Sequence, residues 1–377
     1  MAIQIEHYAG REQAYVKHTF LDKYLPSLIG KVCSRYDEFV YIDGFAGPWK
    51  SNAGETFDDT SFGIALNHMT AIRLRYLAQG RDVRMRAILV EKDPGAFAQL
   101  TEAIKRFPKV DTFPICGEFE SKVTGISALV PHNAFVFSLI DPKGFPDIEK
   151  LLPLFGFAHC ELLINFMFDH ANRFAETGLI SRLERWLAVG GGPNWEARLK
   201  GLSGAEREAE IESLAVEGLR KIGRFTYSPV ISIDKPSQDR TLYKLIYFSR
   251  HEKGLEVFRS SEAKALEVQA QVRTSLRDRK REERSGMADM FPGNADIDRS
   301  ARALADGAVE GRRHLLQILD NCGTDGQNWG RLWPVILNEV SITKSRLGLI
   351  INEARKSTPL KRRIGPVSGI PSRVTHN

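Results

Sequence analysis

Glu38-Phe39-Val40-Tyr41-Ile42-Asp43-Gly44-Phe45-Ala46-Gly47-Pro48 is a short apolar run that ends on a carboxylate and then turns through glycine, alanine and glycine. Its β-branched and aromatic residues predict a strand buried in a parallel sheet. Open α/β sheets bind ligands beyond the C-terminal ends of such strands. Gly44 and Gly47 lack Cβ atoms, which permits positive φ and close approach of backbone to a ligand. Asp43 sets an anionic acceptor beside them. No Gly-Lys-Ser/Thr follows, so the turn is not a phosphate-cradling loop. Trp49 falls in the region of the third glycine of a dinucleotide fingerprint. The turn therefore suits a cationic or neutral nucleoside better than a pyrophosphate, and S-adenosylmethionine is the expected cofactor.

Upstream, Tyr15, Phe20, Leu21, Tyr24, Leu25 and Leu28 recur at helical spacing, with Gly30 as the expected end. Downstream, Ser61 is the expected N-cap of a helix carrying Ile64, Leu66, Met69, Ile72, Leu74 and Leu77, stopped by Gly80. A second strand over residues 86–90 ends at Glu91, and a helix over 94–107 has Pro94 in its first turn. Strands over 112–116, 134–140 and 161–166 follow, the fourth ending at Asp141-Pro142. This alternation predicts right-handed crossovers and a parallel sheet. Runs over 224–233 and 241–249, joined by Asp234-Lys235-Pro236-Ser237-Gln238-Asp239, predict an antiparallel hairpin at one edge. Helical sequence between Phe174 and Leu219 is expected to cover the sheet or form a cap.

The four strand ends stand in the order of a class I methyltransferase. There the loop after strand one wraps the methionine part of the cofactor, and the acid after strand two accepts from the ribose hydroxyls. Strand four delivers the catalytic loop. The expected fold is α/β, a Rossmann-like, mostly parallel sheet over residues 1–260, with a charged helical linker over 261–309 and a C-terminal helical or winged-helix region over 310–377. Lys17, Asp43, Gly44, Phe45, Ala46, Gly47 and Glu91 are the expected cofactor contacts, with Glu118 set to reach the adenine. The alternative for Lys17 is a solvated helix residue.

Lys17-His18-x-x-Leu21-x-x-Tyr24-Leu25, Tyr41 through Pro48, Asp141-Pro142-Lys143-Gly144-Phe145 and Asn165-Phe166 resemble the three-Cys-motif partner protein family. The resemblance spans roughly residues 10–260 and implies a class I methyltransferase-like fold. It also implies, as a partner, the separate three-cysteine protein that gives the family its name. Members usually carry Gly after Gly-Pro, where this chain has Trp49.

Amino-methyltransferases acting on nucleobases use Asp/Asn-Pro-Pro-aromatic after strand four. Asp141-Pro142-Lys143-Gly144-Phe145 keeps the acid, one proline and a displaced aromatic. In this reading Asp141 positions or deprotonates a nucleobase amine, Phe145 stacks on the base and Lys143 meets a phosphate. The alternative is that Asp141 only closes a turn with Pro142. Asn165, Asp169, His170 and Arg173 follow strand five and are candidates for the substrate cleft.

The net charge of +6 is unevenly spread. Arg355, Lys356, Lys361, Arg362 and Arg363 form a basic stretch expected to contact nucleic acid, DNA or RNA. Arg273, Arg277, Arg279, Lys280, Arg281 and Arg284 form a weaker candidate, interrupted by Asp278, Glu282 and Glu283. Trp333 to Leu337 followed by Ser341 to Lys356 reads as a helix-turn-helix or winged helix, with Thr343, Lys344, Arg346 and Asn352 toward a duplex. A small helical bundle is the alternative.

No run approaches the ~18 apolar residues of a membrane span, and Met1 to His7 resembles no signal peptide. A cytoplasmic location is expected. Cys33, Cys116, Cys160 and Cys322 lie far apart, as reduced thiols rather than a metal site. His68, His132, His170 and His251 are isolated, so no metal is expected. Two rival functions remain. An NAD-dependent oxidoreductase is disfavoured because Glu91 lies 48 residues beyond Asp43, against about 20 in the usual unit. A non-catalytic, degenerate nucleic-acid-binding partner is kept open by Trp49 and Lys143.

Overall fold

The computed structural model describes residues 3–47, 51–54, 57–167, 181–285, 298–321 and 327–355. The chain divides into two compact units, Met1–His251 and Glu252–Asn377.

The first unit is built on β1 (Glu38–Asp43), β2 (Arg84–Glu91), β3 (Asp111–Cys116), β4 (Phe135–Ile140), β5 (Cys160–Phe166), β6 (Val230–Asp234) and β7 (Thr241–Ser249). They form one seven-stranded sheet in the order β3-β2-β1-β4-β5-β7-β6. The first five strands run parallel, while β7 runs antiparallel to both β5 and β6. This is the Rossmann-like class I methyltransferase arrangement, with the expected hairpin at the edge. All six residues of β1 are buried, as a central strand flanked by β2 and β4 must be.

The helices follow the expected order with local differences. Helix α1 (Glu12–Cys33) runs past Gly30, because Ile29, Val32 and Cys33 continue its buried face. Helix α2 (Ser61–Ala78) is capped by Thr60, whose hydroxyl accepts from the Gly63 N–H at 3.1 Å. Ser61, the expected cap, instead donates to Asp43 Oδ2 at 2.7 Å. Helix α3 (Pro94–Ala103) is capped by Asp93, and α4 (Phe119–Leu129) and α5 (Ile148–Phe155) precede β4 and β5. Helices α6 (Ser181–Gly191), α7 (Trp195–Leu199) and α8 (Gly204–Ile222) cover the sheet: Leu183, Trp186, Ile211 and Leu214 join the core with Ile164 and Phe166. α6 and α8 cross with backbones touching. A Cβ on Gly190 would lie 1.8 Å from Leu214 O, and one on Gly218 would lie 2.5 Å from Gly190 N.

Glu161, at the opening end of β5, is fully buried among Tyr24, Tyr247 and Ser249. It accepts from the Tyr24 hydroxyl and, at 3.2 Å, from Ser249. Burial pushes its carboxyl up to about 7 from an ordinary 4.5, partly offset by those hydrogen bonds. The folded chain therefore holds a proton that the unfolded chain releases, and stability present below 4.5 is lost as pH rises to about 7. Glu161→Gln keeps the volume and cannot ionise. Urea denaturation at pH 5 and pH 8 is expected to show the variant free of a pH-dependent loss on the order of 3 kcal/mol. An unchanged loss would assign it to other groups.

The second unit comprises α9 (Glu252–Ser285), α10 (Arg299–Asn321), α11 (Trp329–Glu339) and α12 (Lys344–Ala354). The boundary lies at 251/252, and of the stretch 261–309 the described residues 261–285 belong to α9 and 299–309 to α10. Arg273 is 1% exposed and bonds to Asp298 at 2.9 Å, while Arg277 reaches the same carboxylate at 3.2 Å. Two members of the first basic cluster thus share one carboxylate, Arg273 buried and Arg277 partly exposed. Arg259 is buried with Glu262 and donates to the carbonyl oxygens of Leu337 and Asn338, a cation placed on the carbonyl end of α11. A Cβ on Gly307 of α10 would lie 2.1 Å from Ser341 O, which seats the turn between α11 and α12 against α10. Helices α10, α11 and α12 pack on one another and on α9. A wing after Arg355 would lie outside the described residues.

Candidate functional site

The loop after β1 is fastened from three sides. Gly44 N donates to Leu139 O of β4 at 3.1 Å, and Ala46 N donates to Val90 O of β2 at 2.9 Å. Asp43 accepts from Phe45 N at 3.0 Å, from the Tyr41 hydroxyl at 3.0 Å and from Ser61. Its carboxyl is 0% exposed and is pushed up to about 6 by burial, against the pull of those donors. Asp43 thus turns into the protein and secures the loop instead of presenting an acceptor to a ligand, and Ala46 is equally buried.

Gly44 and Gly47 are required for space and not for positive φ, since neither adopts it. A Cβ on Gly44 would lie 2.7 Å from the Phe119 ring, and one on Gly47 would lie 2.0 Å from Glu91 Oε2. The loop is pressed onto the acid that ends β2. Glu91 Oε1 accepts from Asp93 N at 2.7 Å, which sets that carboxylate in place.

Two cavities open at this switch point of the sheet, where a ligand site is expected. The smaller, about 230 Å³, is lined by Gly44, Glu91, Gly117, Glu118, Phe119 and Arg182 among others. The larger, about 580 Å³, is lined by Arg11, Lys17, His18, Gly47, Asp141, Asn165 and Tyr243 among others. Phe45, Pro142 and Lys143 line both and form the partition. Of the sequence candidates, Gly44, Phe45, Glu91, Glu118 and Phe145 gather at the smaller cavity, and Lys17, Gly47 and Asp141 at the larger.

The larger cavity holds a charged wall. Lys17 forms an ion pair with Asp141 Oδ2, and Asn165 Nδ2 donates to Asp141 Oδ1 at 2.6 Å. Lys17, on α1, is therefore held across the end of β4 and is not a solvated helix residue. His18 is buried beside it, bonded to the Tyr8 hydroxyl at 3.0 Å. Burial foremost, then Lys17 and Arg11, hold it well below the ordinary histidine value, so it stays neutral. Arg11 pairs with Asp59 at 3.0 Å. Arg11, Asp59 and Tyr243 carried no signal in the sequence, because no strand end or glycine marks them and only the fold brings them here.

Phe145 is 7% exposed and packs edge-on against Phe166 at 5.2 Å and near Trp186 at 6.3 Å. Those neighbours occupy its ring, which supports the cavity as part of the core. Lys143 is exposed on the rim. Asp169, His170, Arg173, Pro48 and Trp49 lie outside the described residues.

In the second unit, Lys344 lies 3.2 Å from Glu256 and 4.2 Å from the Trp333 ring centroid, which ties the ammonium down. Arg346 and Asn352 are exposed on α12, with Arg355 half-buried at its end. Lys356, Lys361, Arg362 and Arg363 lie outside the described residues. Among the described residues no cluster of three or more metal-ligating side chains is present, and no helix is long and apolar enough to cross a membrane.

No family model matches the sequence, and no curated protein matches it. Among solved structures the chain is similar to the cyclopropane synthase MmaA2 from Mycobacterium tuberculosis, at 13% identity over 69% of this chain and 74% of that one, with a TM-score of 0.27. A loganic acid methyltransferase with SAH is similar at 10% identity over 68% and 82%, with a TM-score of 0.31. TYW2 of P. horikoshii in complex with MeSAdo is similar at 12% identity over 60% and 62%, with a TM-score of 0.26. The fold assignment rests on the strand order and register described above.

Proposed function

We propose that this chain is an S-adenosylmethionine-dependent methyltransferase acting on nucleic acid, at an amine of a base. The observation that carries this reading is the pair of adjoining cavities at the switch point, one walled by Glu91 and the other by Asp141. The residues suit the cofactor. The Gly44–Gly47 loop leaves no room for a Cβ against Phe119 and Glu91, and Glu91 is held where ribose hydroxyls can donate to it.

When bound, the cofactor supplies an electrophilic methyl group, and in-line displacement relies on alignment and exclusion of water. Glu91 grips the sugar. Asp141, Asn165 and Lys17 form the wall that receives the amine. Pro142 stiffens the turn, Phe145 supports it from below, and Lys143 on the rim meets a phosphate. Arg346 and Arg355, with the basic residues that follow in sequence, supply sequence-independent attraction to a polyanion. The motifs around Lys17, Asp43 and Asp141 support membership of the three-Cys-motif partner family, with a separate three-cysteine protein as the accompanying partner.

The engagement of both Asp141 oxygens favours a second reading, in which the domain binds nucleic acid without transferring a methyl group. Calorimetry with S-adenosylhomocysteine and NAD, followed by incubation of labelled S-adenosylmethionine with total nucleic acid, separates these. Binding of the homocysteine form alone is expected, weakened about tenfold or more by Glu91→Ala, with label on nucleic acid. Absence of binding would refute the proposal. Binding without label would leave the second reading.

A further inference from the structure

Asp141 is the residue whose type and position point to the substrate, yet both of its oxygens are engaged. Oδ2 takes the Lys17 ammonium and Oδ1 takes Asn165 Nδ2. A carboxylate paired with a lysine can only accept, so the amide must turn its NH2 group toward Asp141. The same NH2 group lies 3.8 Å from Met167 Sδ, another acceptor. The orientation of the amide follows from its neighbours' chemistry, and Oδ1 is left on the other side. Asn165 is 6% exposed and lines the larger cavity, and its Oδ1 is buried with no hydrogen-bond partner. A buried carbonyl oxygen left unpaired is unfavourable and needs a donor. Lys17 lines the same cavity, and its ammonium has three N–H groups, one of which goes to Asp141.

Building on the methyltransferase reading above, we infer that Asn165 Oδ1, and not Asp141, accepts the N–H of the substrate, while Lys17 donates to the acceptor beside it. The substrate then presents an amidine-type edge, an amino group next to an unprotonated ring nitrogen, as in an aminopyrimidine or aminopurine. Asp141 is a positioning residue that holds the donor and the acceptor side by side on one carboxylate. A keto edge of the uracil type fails at both points. Its oxygen faces the Asn165 oxygen and its ring N–H faces the ammonium.

Cytidine and uridine differ in this edge alone and test the assignment on the unaltered full chain. Each is titrated by ligand-observed NMR with and without S-adenosylhomocysteine, whose own affinity is measured first. Cytidine is expected to bind about tenfold or more tightly than uridine. Asn165→Leu, of similar volume, is expected to abolish that preference while the chain stays folded by circular dichroism and homocysteine-form affinity stays put. A purely structural role for Asn165 would lower both affinities together and keep their ratio. Equal binding, a uridine preference or no binding of either nucleoside by the unaltered chain overturns the inference, and so does a preference that survives in a folded Asn165→Leu chain. A cytidine preference without S-adenosylhomocysteine binding would keep the edge assignment and refute the methyltransferase reading, so the two failures are distinct.

Discussion

Replacing Asp141 with alanine is expected to lower methyl transfer about a hundredfold or more while leaving cofactor affinity within a few fold. The carboxylate joins α1, β4 and β5 at one point through Lys17 and Asn165. Without it, the Asn165 amide has no anion to orient it and the Lys17 ammonium has no partner holding it across the cavity. The substrate edge would then meet a disordered donor and acceptor, and small misplacements are costly in an in-line transfer. Glu91 and the Gly44–Gly47 loop are untouched, so the cofactor side should persist. The measurement is labelled-methyl transfer under saturating cofactor beside calorimetry with S-adenosylhomocysteine. Unchanged turnover would remove Asp141 from the site, and joint loss of transfer and affinity would make it a part of the cofactor cavity instead.

Gly47→Ala should produce the opposite division. A Cβ there would lie 2.0 Å from Glu91 Oε2, and the end of the Glu91 side chain is the part able to yield. The carboxylate would have to swing off the loop, against its bond to Asp93 N. The fold should survive, since the clash involves a side-chain tip rather than backbone. Affinity for S-adenosylhomocysteine should fall about ten- to a hundredfold, the range for losing a hydrogen bond to a charged group. Circular dichroism and calorimetry on the same sample check this. A folded variant that binds as tightly as the parent would show that Glu91 does not hold the ligand.

The glycines illustrate how far sequence reading reached. Their place after a buried strand marked the loop, and the loop is where the cavities meet. The reason given for them, freedom of φ, is not the operative one, because Phe119 and Glu91 crowd both positions. Ser61 shows the same limit. Its position beside the start of α2 marked a cap, but a buried carboxylate one strand away drew its hydroxyl and left the cap to Thr60. Arg273 and Lys344 were legible as cations, whereas their pairing with Asp298, Glu256 and the Trp333 ring, which ties them down, arises only in the fold.

Sequence alone determined the strands, their succession and the acids at their ends, because apolar period and chain-breaking residues are local properties that each segment carries with it. Tertiary structure alone decided which of those acids face inward, as Asp43 does, and which are met by a lysine from the first helix, as Asp141 is. The orientation of a polar side chain depends on donors brought from far along the chain, and pairing across 124 residues leaves no trace in the spacing on either side.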